Sequence, residues 1–266
     1  MSSFFSGKVV WITGASSGIG EALVYKLAKQ NAKIILSARN ENALKLVAQK
    51  AGLKTENFLI IPFDLADTSK VKEYAGAAVT NFSRIDFLIN NGGTSQRSEA
   101  LDTSEEVERQ LMEVNYFGHV ALSKAVLAVM IKQKSGHITV VSSIAGKFGF
   151  YLRSSYSAAK HALHGYFECL RLENEKNNIT VLMVCPGKIN TQISVKAAKG
   201  DGSPLGIMEE SHKNAMSAST CAQKILTAIK SGETEIFVGG KEIRAVWLKR
   251  FFPMAFNTII KRQRLG

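Results

Sequence analysis

The sequence predicts a single-domain α/β fold with a doubly wound parallel sheet of about seven strands and helices on both faces. Short apolar, β-branched runs of strand length alternate along the chain with segments whose apolar residues have helical spacing. No internal repeat and no polar linker interrupts this alternation, and 266 residues suit one large domain. The composition, with 4 Pro and 21 Gly, indicates packed elements joined by special turns rather than a disordered chain.

Seven apolar runs are predicted as buried strands. They cover residues 8–13, 33–38, 58–62, 86–90, 137–142, 179–185 and 235–238. Helical patterns lie between them, from Ala22 onward and then at residues 40–51, 69–82, 116–133, 154–176 and 219–231. A further helix is predicted to open at residues 103–106, which have capping-box spacing, and to run toward Val114.

Several features of the sequence follow directly on strand ends, and ligands of parallel sheets bind beyond the carboxyl ends of the strands. These features are the glycine-rich turn 13–20, Arg39, Asp64, Asn90, Ser143 and Pro186. Because the carboxyl ends of parallel strands share one edge of the sheet, we expect a single site there.

The glycine-rich turn lies between the first strand and a helix, which is the arrangement that presents backbone N–H groups to a diphosphate. Gly14 permits the tight turn, Gly18 allows a phosphate to approach the backbone, and Gly20 allows the helix to pack on the strand. At the end of the second strand, Arg39 stands where an acid would bind the ribose 2′-hydroxyl. A guanidinium matches a 2′-phosphate, so we expect NADP(H) rather than NAD(H).

Tyr156 and Lys160 lie one helical turn apart and share a helix face. An ammonium near a phenol favours the phenolate and lowers the pKa of the tyrosine. This spacing occurs by chance in many helices, so on its own it does not indicate a catalytic site.

Further motifs along the chain support a catalytic role for Tyr156 and Lys160. The motifs Thr13-Gly14-x-x-x-Gly18-x-Gly20, Asn90-Asn91-x-Gly93, Asn115, Ser143, Tyr156-x-x-x-Lys160 and Pro186-Gly187-x-x-x-Thr191 follow in order. Together they resemble the short-chain dehydrogenase/reductase superfamily over about residues 7–240. The resemblance implies a Rossmann fold and a nicotinamide cofactor.

The resemblance also implies roles for single residues. Tyr156 is expected to be the general acid/base, and Ser143 to hydrogen-bond the substrate carbonyl. Lys160 is expected to hold the nicotinamide ribose and to lower the pKa of Tyr156, and Asn115 to bind a water that links Lys160 to solvent. The predicted cofactor-binding residues are Gly14, Ser16, Ser17, Gly18, Ile19, Gly20, Arg39, Asp64, Leu65, Asn90, Asn91, Gly92, Tyr156, Lys160, Pro186, Gly187, Ile189 and Thr191.

Two positions depart from the family pattern. Gly92 replaces the alanine of the Asn-Asn-Ala-Gly motif, which we expect to loosen that loop slightly. Ser17 occupies the place where some NADP-using members carry a base, so the choice of cofactor depends mainly on Arg39. Residues 192–218 correspond to the mobile substrate loop of the family and have the composition of a lid.

The C-terminal extension, residues 241–266, holds seven Lys or Arg and one Glu, so it carries about half of the net charge of +12. Within residues 247–262, aromatic and aliphatic residues alternate with bases. Such a segment suits a membrane interface, and it suits equally an element packed on its own domain or on a partner subunit. It is similar to C-terminal extensions in the branch near 11-beta-hydroxysteroid dehydrogenase, as is Ser37-Ala38-Arg39.

Composition excludes several classes of protein. Cys169, Cys185 and Cys221 have no metal-type spacing, so we expect neither a disulfide framework nor a metal site. The first eight residues lack a signal-peptide pattern and the longest apolar runs are strand-sized, so we expect a cytoplasmic protein with no transmembrane helix. No nucleic-acid module or regular basic stripe is present, so we do not expect nucleic-acid binding.

These observations predict an NADP(H)-dependent oxidoreductase that interconverts a carbonyl and a secondary alcohol on a lipophilic substrate. Two alternatives stay open. One is a 3-oxoacyl-[acyl-carrier-protein] reductase, whose acidic carrier would suit a basic surface. The other is a non-catalytic NADP-binding sensor or scaffold, which an intact catalytic set argues against. The family assembles through its two long middle helices, so we expect a homodimer, with a tetramer as the alternative.

Overall fold

The computed structural model describes residues 3–208 and 213–262. Seven parallel strands form the main sheet, in the spatial order β3-β2-β1-β4-β5-β6-β9. They are β1 Val9–Thr13, β2 Lys33–Ser37, β3 Phe58–Ile60, β4 Phe87–Asn90, β5 Gly136–Val141, β6 Ile179–Pro186 and β9 Glu235–Val238. Two short strands, β7 Ile189–Asn190 and β8 Met216–Ser217, pair with each other outside this sheet. The fold class predicted from the sequence is therefore confirmed.

Nine α-helices are described. They are α1 Gly18–Ala28, α2 Glu41–Lys50, α3 Val71–Phe82, α4 Glu105–Met112, α5 Gly118–Gln133, α6 Ser154–Asn174, α7 Ala218–Lys230, α8 Arg244–Phe251 and α9 Pro253–Arg262. A π-helical segment, Glu113–Phe117, joins α4 to α5 without a break.

The strand sequences place apolar side chains on both faces of the sheet, as burial under two helical layers requires. Along β1, Val10 and Ile12 pack with helices α1, α2 and α7, whereas Val9 and Trp11 pack with α3, α5 and α6. The order of strands reverses direction between β1 and β4. The carboxyl ends of these strands therefore open a crevice at that point, where α/β sheets bind ligands.

The N-terminus of α4 differs from the sequence prediction. The helix is capped by Ser104, whose Oγ accepts a hydrogen bond from Val107 N at 3.4 Å. The capping-box spacing predicts Thr103 as the capping residue, but its hydroxyl donates to the Glu99 carbonyl at 2.6 Å instead. The first turn of α4 still carries the acids Glu105, Glu106 and Glu108 that favour a helix start.

The continuous helical run Glu105–Gln133 is long and apolar enough to cross a membrane, judged by length and composition. No such helix is expected from the sequence, where α4 and α5 read as two separate elements. Leu122, Val126 and Met130 of this run are fully buried in the core beneath the sheet. Core helices satisfy the same criterion, so the observation is weak support for a membrane span.

The substrate loop and the extension are folded against the domain in their described parts. In the loop, Lys199 N donates to Ser203 O and Leu205 N donates to Ala197 O, both at 2.8 Å, which closes a small hairpin. Residues 209–212 of the loop and 263–266 of the extension lie outside the described residues. In the extension, Val246 and Phe256 are buried against Ile144 and Phe148.

Candidate active site

One cleft of about 1810 Å³ runs along the carboxyl edge of the sheet. It is larger than the usual pocket for a single small molecule, which is about 300–1,000 Å³, and has room for a dinucleotide and a second ligand. It is lined by all four predicted catalytic residues and by most of the predicted cofactor residues. These cofactor residues are Gly14, Ser16, Ser17, Gly18, Ile19, Arg39, Asp64, Leu65, Asn91, Gly92, Tyr156, Lys160, Pro186, Gly187, Ile189 and Thr191.

Two predicted cofactor residues do not line the cleft. Asn90 is fully buried, and its Nδ2 donates to Ser123 Oγ at 2.7 Å, so its side chain faces α5. A Cβ on Gly20 would lie 2.2 Å from Gly14 O, so this glycine permits close packing of α1 on the turn. Both residues support the walls of the cleft from behind.

Tyr156 and Lys160 lie in the first two turns of α6, and both are buried. Lys160 Nζ donates to the Val141 carbonyl at 2.9 Å and lies 5.8 Å from the centroid of the Tyr156 ring. Burial lowers the pKa of Lys160 to about 8, and the neighbouring Cys185 opposes this shift. The lysine is therefore a partly desolvated ammonium at neutral pH.

The pKa of Tyr156 differs from the sequence expectation. Burial raises it, and Arg153 and the Ser143 hydroxyl pull it back down. The sequence predicts that Lys160 lowers the pKa of Tyr156. In the structure, desolvation of the phenol is the largest influence on this pKa, and it raises it. The positive charge that lowers it is that of Arg153, one helical turn earlier. A raised pKa keeps the phenol protonated at neutral pH, as a proton donor requires.

Ser143 caps the short 3₁₀ helix Ile144–Gly146 that follows β5. Its Oγ accepts from Ala145 N at 3.0 Å and donates to the Pro186 carbonyl at 3.4 Å. Strands β5 and β6 are hydrogen-bonded neighbours, so Ser143 and Pro186 meet because they follow adjacent strand ends. The hydroxyl is thus held at the cleft beside the Tyr156 phenol.

Asn115 lies in the π-helical segment and is fully buried. Its side chain pairs with the backbone of Thr94 in both directions, with Oδ1 accepting and Nδ2 donating at 3.1 Å. A Cβ on Gly93 would lie 2.7 Å from Asn115 Oδ1 and 3.7 Å from Lys160 Nζ. Because Gly93 has no side chain, Asn115 and Lys160 face each other across this point.

Gly92 does not loosen its loop as expected. Its N–H donates to Thr13 Oγ1 at 2.9 Å, and His119 Nε2 lies 2.7 Å from its carbonyl oxygen. A Cβ on Gly92 would lie 2.5 Å from Leu65 Cδ1. The Leu65 side chain therefore fills the space of the family's alanine methyl, and the loop is held on both sides.

The comparison with known proteins agrees with this geometry. A family model described as short chain dehydrogenase matches residues 8–202. The chain belongs to the short-chain dehydrogenase/reductase family.

Curated members of this family resemble the chain over nearly its whole length. It is 39% identical to a dehydrogenase/reductase SDR family protein 7-like of Anopheles gambiae, covering 97% of this chain and 83% of that protein. It is 37% identical to dehydrogenase/reductase SDR family member 7B of Bos taurus, covering 99% and 84%. The protein is therefore an oxidoreductase of the dehydrogenase/reductase class.

Solved structures share the fold. A short-chain dehydrogenase from Streptomyces avermitilis superposes with a TM-score of 0.84 at 26% identity, covering 99% of this chain and 100% of that one. A short-chain dehydrogenase/reductase from Burkholderia phymatum in complex with NAD gives a TM-score of 0.82 at 23% identity, covering 92% and 94%.

The residues present fit the nicotinamide dinucleotide that this family binds. Ser17 precedes α1 without making a side-chain cap, so the first backbone N–H groups of the helix are left for a ligand. A Cβ on Gly18 would lie 3.1 Å from Thr191 Cγ2, so glycine keeps the turn and the far wall apart. Arg39 Nη1 lies 3.7 Å from Asp64 Oδ2, and the Arg39 side chain is 77% exposed.

Three further residues shape this short-chain dehydrogenase/reductase site and were not foreseen from the sequence. Arg153 lowers the pKa of Tyr156. Glu242 Oε1 accepts from Lys188 N at 2.8 Å and from Gly240 N at 3.0 Å, so the extension holds the Pro186-Gly187 turn. Gln96 contacts the start of α6. Of these three residues, only Glu242 carries a signal in the sequence, because it is the only acid in residues 241–266.

His164, Cys185 and Glu235 lie behind Lys160 with ligand atoms within 4.8 Å of one another. No metal-type spacing marks them in the sequence, because they come from α6, β6 and β9. Lys147 Nζ already lies 2.6 Å from Glu235 Oε1. Burial and nearby positive charges lower the pKa of His164 to about 3, so the histidine is neutral beside the ion pair of Lys147 and Glu235.

Proposed function

We propose that the protein is an NADP(H)-dependent oxidoreductase that interconverts a carbonyl and a secondary alcohol on a lipophilic substrate. The observation that carries the proposal is the buried phenol of Tyr156, whose pKa is raised by burial, beside the Ser143 hydroxyl in a cleft that also has apolar side chains in its lining. A sensor or scaffold without catalysis would not need this combination.

The bound nicotinamide supplies or accepts the hydride. The chain's own residues manage the charge that develops on the carbonyl oxygen during reduction. The Ser143 hydroxyl donates a hydrogen bond to that oxygen, and Tyr156 donates a hydrogen bond and then its proton. Lys160 holds the ribose and returns a proton to Tyr156, with Asn115 on the route to solvent.

The apolar lining supports a lipophilic substrate. Beyond Ser143 and Tyr156, the cleft is bounded by apolar side chains from four separate segments. They are Val107, Leu111, Ile144, Phe150, Leu205, Ile207, Met208 and Ile260. Charged and polar side chains line the same cleft, among them Arg97, Glu106, Gln110, Arg153 and Lys196, and such groups would orient a polar end of the ligand.

The experiment that tests the proposal is a panel of carbonyl compounds followed by NADPH absorbance. Steroid ketones, retinal and 3-oxoacyl thioesters cover the lipophilic class and the carrier-protein alternative. We expect turnover of at least one steroid-like or retinoid-like compound. Turnover of 3-oxoacyl thioesters alone would favour the reductase of acyl carriers, and no turnover of any carbonyl would contradict the proposal.

Arg39→Asp is expected to reverse the cofactor preference toward NAD(H). The substitution removes the base at the end of β2 and adds an acid that repels a 2′-phosphate. We expect the ratio of kcat/KM for NADPH to that for NADH to fall by at least about 100-fold. Arg109→Asp, at an exposed position on α4 where the arginine pairs with Glu105, is the matched control. An unchanged ratio in Arg39→Asp would contradict the assignment of NADP(H).

The extension presents an apolar face. We propose that this face contacts a membrane surface. The protein would then be cytoplasmic and peripheral at the membrane. Trp247, Phe251, Phe252 and Met254 are all more than half exposed. Residues 243–262 contain bases but no acid. Aromatic side chains with neighbouring bases suit a bilayer interface with anionic head groups.

The double variant Phe251→Ser/Phe252→Ser is expected to lower binding to phosphatidylserine vesicles by more than about ten-fold, since each exposed aromatic loses apolar area that would enter the interface. Deleting the extension is a poorer test because Phe256 is buried in the domain. Leu101→Ser, at a position 95% exposed in the segment between β4 and α4, is the control. Equal co-sedimentation of all three forms would contradict membrane contact.

We propose a homodimer for the assembly. The supporting observation is a set of exposed apolar side chains at the outer surface of the middle helices, namely Phe117, Ile131 and Leu172. Light scattering in solution measures the mass directly, and a monomer would contradict the proposal.

A further inference from the structure

Gln96 is a fully buried amide in the segment that follows β4 and Gly93. The two N–H groups of its Nε2 are shared among three hydroxyl oxygens, those of Thr103 at 2.8 Å, Ser154 at 3.1 Å and Ser98 at 3.3 Å. Its Oε1 accepts from two backbone N–H groups. The amide orientation is therefore fixed by its partners, and these contacts are made away from solvent.

The Oε1 atom of Gln96 performs the capping of helix α6. The first backbone N–H groups of a helix have no partner within the helix. Arg153, which occupies the capping position, makes no side-chain cap. The N–H groups of Ser155 and Tyr156 instead donate to Gln96 Oε1, at 3.0 Å and 3.3 Å. A residue 59 positions before Ser155 in the chain thus holds the backbone of the tyrosine itself.

The backbone around Gln96 connects this cap to the substrate loop. Ala198 N donates to Ser95 O at 2.8 Å, and Arg97 N donates to Ala198 O at 2.7 Å, so the loop pairs with the residues on either side of Gln96. Arg153 Nη1 donates to the Gln96 carbonyl at 3.3 Å and to Ser95 Oγ. The position of Gln96 therefore depends on how the loop is seated.

We propose that Gln96 is a positioning residue for Tyr156, which holds the tyrosine and Arg153 in register with the seated substrate loop. The inference rests on the proposed function, because it concerns the proton donor of that reaction. If the Tyr156 phenol moves by a fraction of the length of its hydrogen bond to the substrate, the chemical step becomes slower. The part of the cleft that binds the cofactor stays intact.

Gln96→Met tests the proposal, because methionine keeps the volume and removes both hydrogen-bonding groups. We expect kcat for the carbonyl turned over fastest in the panel to fall about 10- to 100-fold. The Kd for NADPH, measured by fluorescence, is expected to stay within about two-fold. Gln96→Glu keeps an acceptor for the two N–H groups and is expected to recover most of kcat.

The matched control is Gln133→Met on α5, outside the cleft, where Gln133 Oε1 accepts from Ile85 N at 3.0 Å and Nε2 donates to Ile85 O at 2.9 Å. This variant also loses a glutamine amide that binds the backbone of a distant segment, but kcat is expected to be unchanged. A Gln96→Met enzyme with wild-type kcat would overturn the proposal. So would an equal loss of kcat in Gln133→Met, or a Gln96→Glu enzyme as impaired as Gln96→Met.

Hydrogen exchange separates this inference from the proposed function. The Ser155 and Tyr156 amides are expected to be protected in the wild type and to exchange at least about ten-fold faster in Gln96→Met. They are expected to stay protected in Gln133→Met. If no carbonyl is turned over, the proposed function fails and the exchange result still decides whether Gln96 caps α6. Unchanged exchange in Gln96→Met would overturn the cap.

Discussion

Tyr156→Phe is expected to lower turnover by about 10²- to 10⁴-fold, the usual contribution of a positioned general acid. The phenol is buried and protonated, and phenylalanine fills the same space without the hydroxyl. The Kd for NADPH, measured by fluorescence, is expected to change little, because the glycine turn and Arg39 are untouched.

The control for this prediction is Tyr166→Phe, which removes a phenol hydroxyl from the same helix at a position outside the cleft. We expect wild-type turnover from it. Retained turnover in Tyr156→Phe would show that another group donates the proton, and the assignment of the whole site would then be wrong.

Lys160→Met is expected to lower kcat/KM by about 10³-fold, since both the ribose contact and proton return to Tyr156 are lost. The same substitution is expected to raise the free energy of unfolding at pH 7. A lysine whose pKa falls to about 8 on burial costs the native state about 3 kcal/mol as an ammonium. Loss of the hydrogen bond to the Val141 carbonyl offsets about 1 kcal/mol of this.

The sign of this effect sets its pH dependence. The unfolded chain binds the lysine proton more tightly than the native state, so the penalty is fully present below about pH 8 and disappears as the pH rises toward 10.5. Urea unfolding at pH 7 and pH 10 should therefore show the gain of Lys160→Met at the lower pH only. A loss of stability at pH 7 would indicate that the ammonium is better solvated than its burial implies.

The strand positions and the glycine turn could be predicted from the sequence because each is a local pattern. Strand β9, for example, was predicted at its observed bounds, since a short apolar, β-branched run after a helix is too brief to form a second helix. The order of the motifs along the chain then indicated the family, which supplied roles for Ser143, Tyr156 and Lys160.

The features that the sequence did not reveal depend on three-dimensional contacts between distant segments. The capping of α6 by Gln96 joins positions 96 and 155, and no local pattern marks a glutamine as a helix cap. The raised pKa of Tyr156 reflects burial, which the Tyr-x-x-x-Lys spacing does not contain. Asn90 is predicted by its motif to bind the cofactor, yet its side chain faces Ser123 because successive residues of a strand point to opposite faces.

Transfer of deuterium is the most direct test of the central claim, which is that this cleft moves a hydride from NADPH to a carbonyl carbon while Tyr156 supplies the proton. NADPH deuterated at the transferring position of the nicotinamide is incubated with the wild-type protein and a carbonyl of the panel, and the alcohol is analysed by mass spectrometry. We expect one deuterium on the carbinol carbon of the wild-type product, and almost no alcohol from Tyr156→Phe. An alcohol without deuterium, or equal amounts of deuterated alcohol from both proteins, would contradict the account.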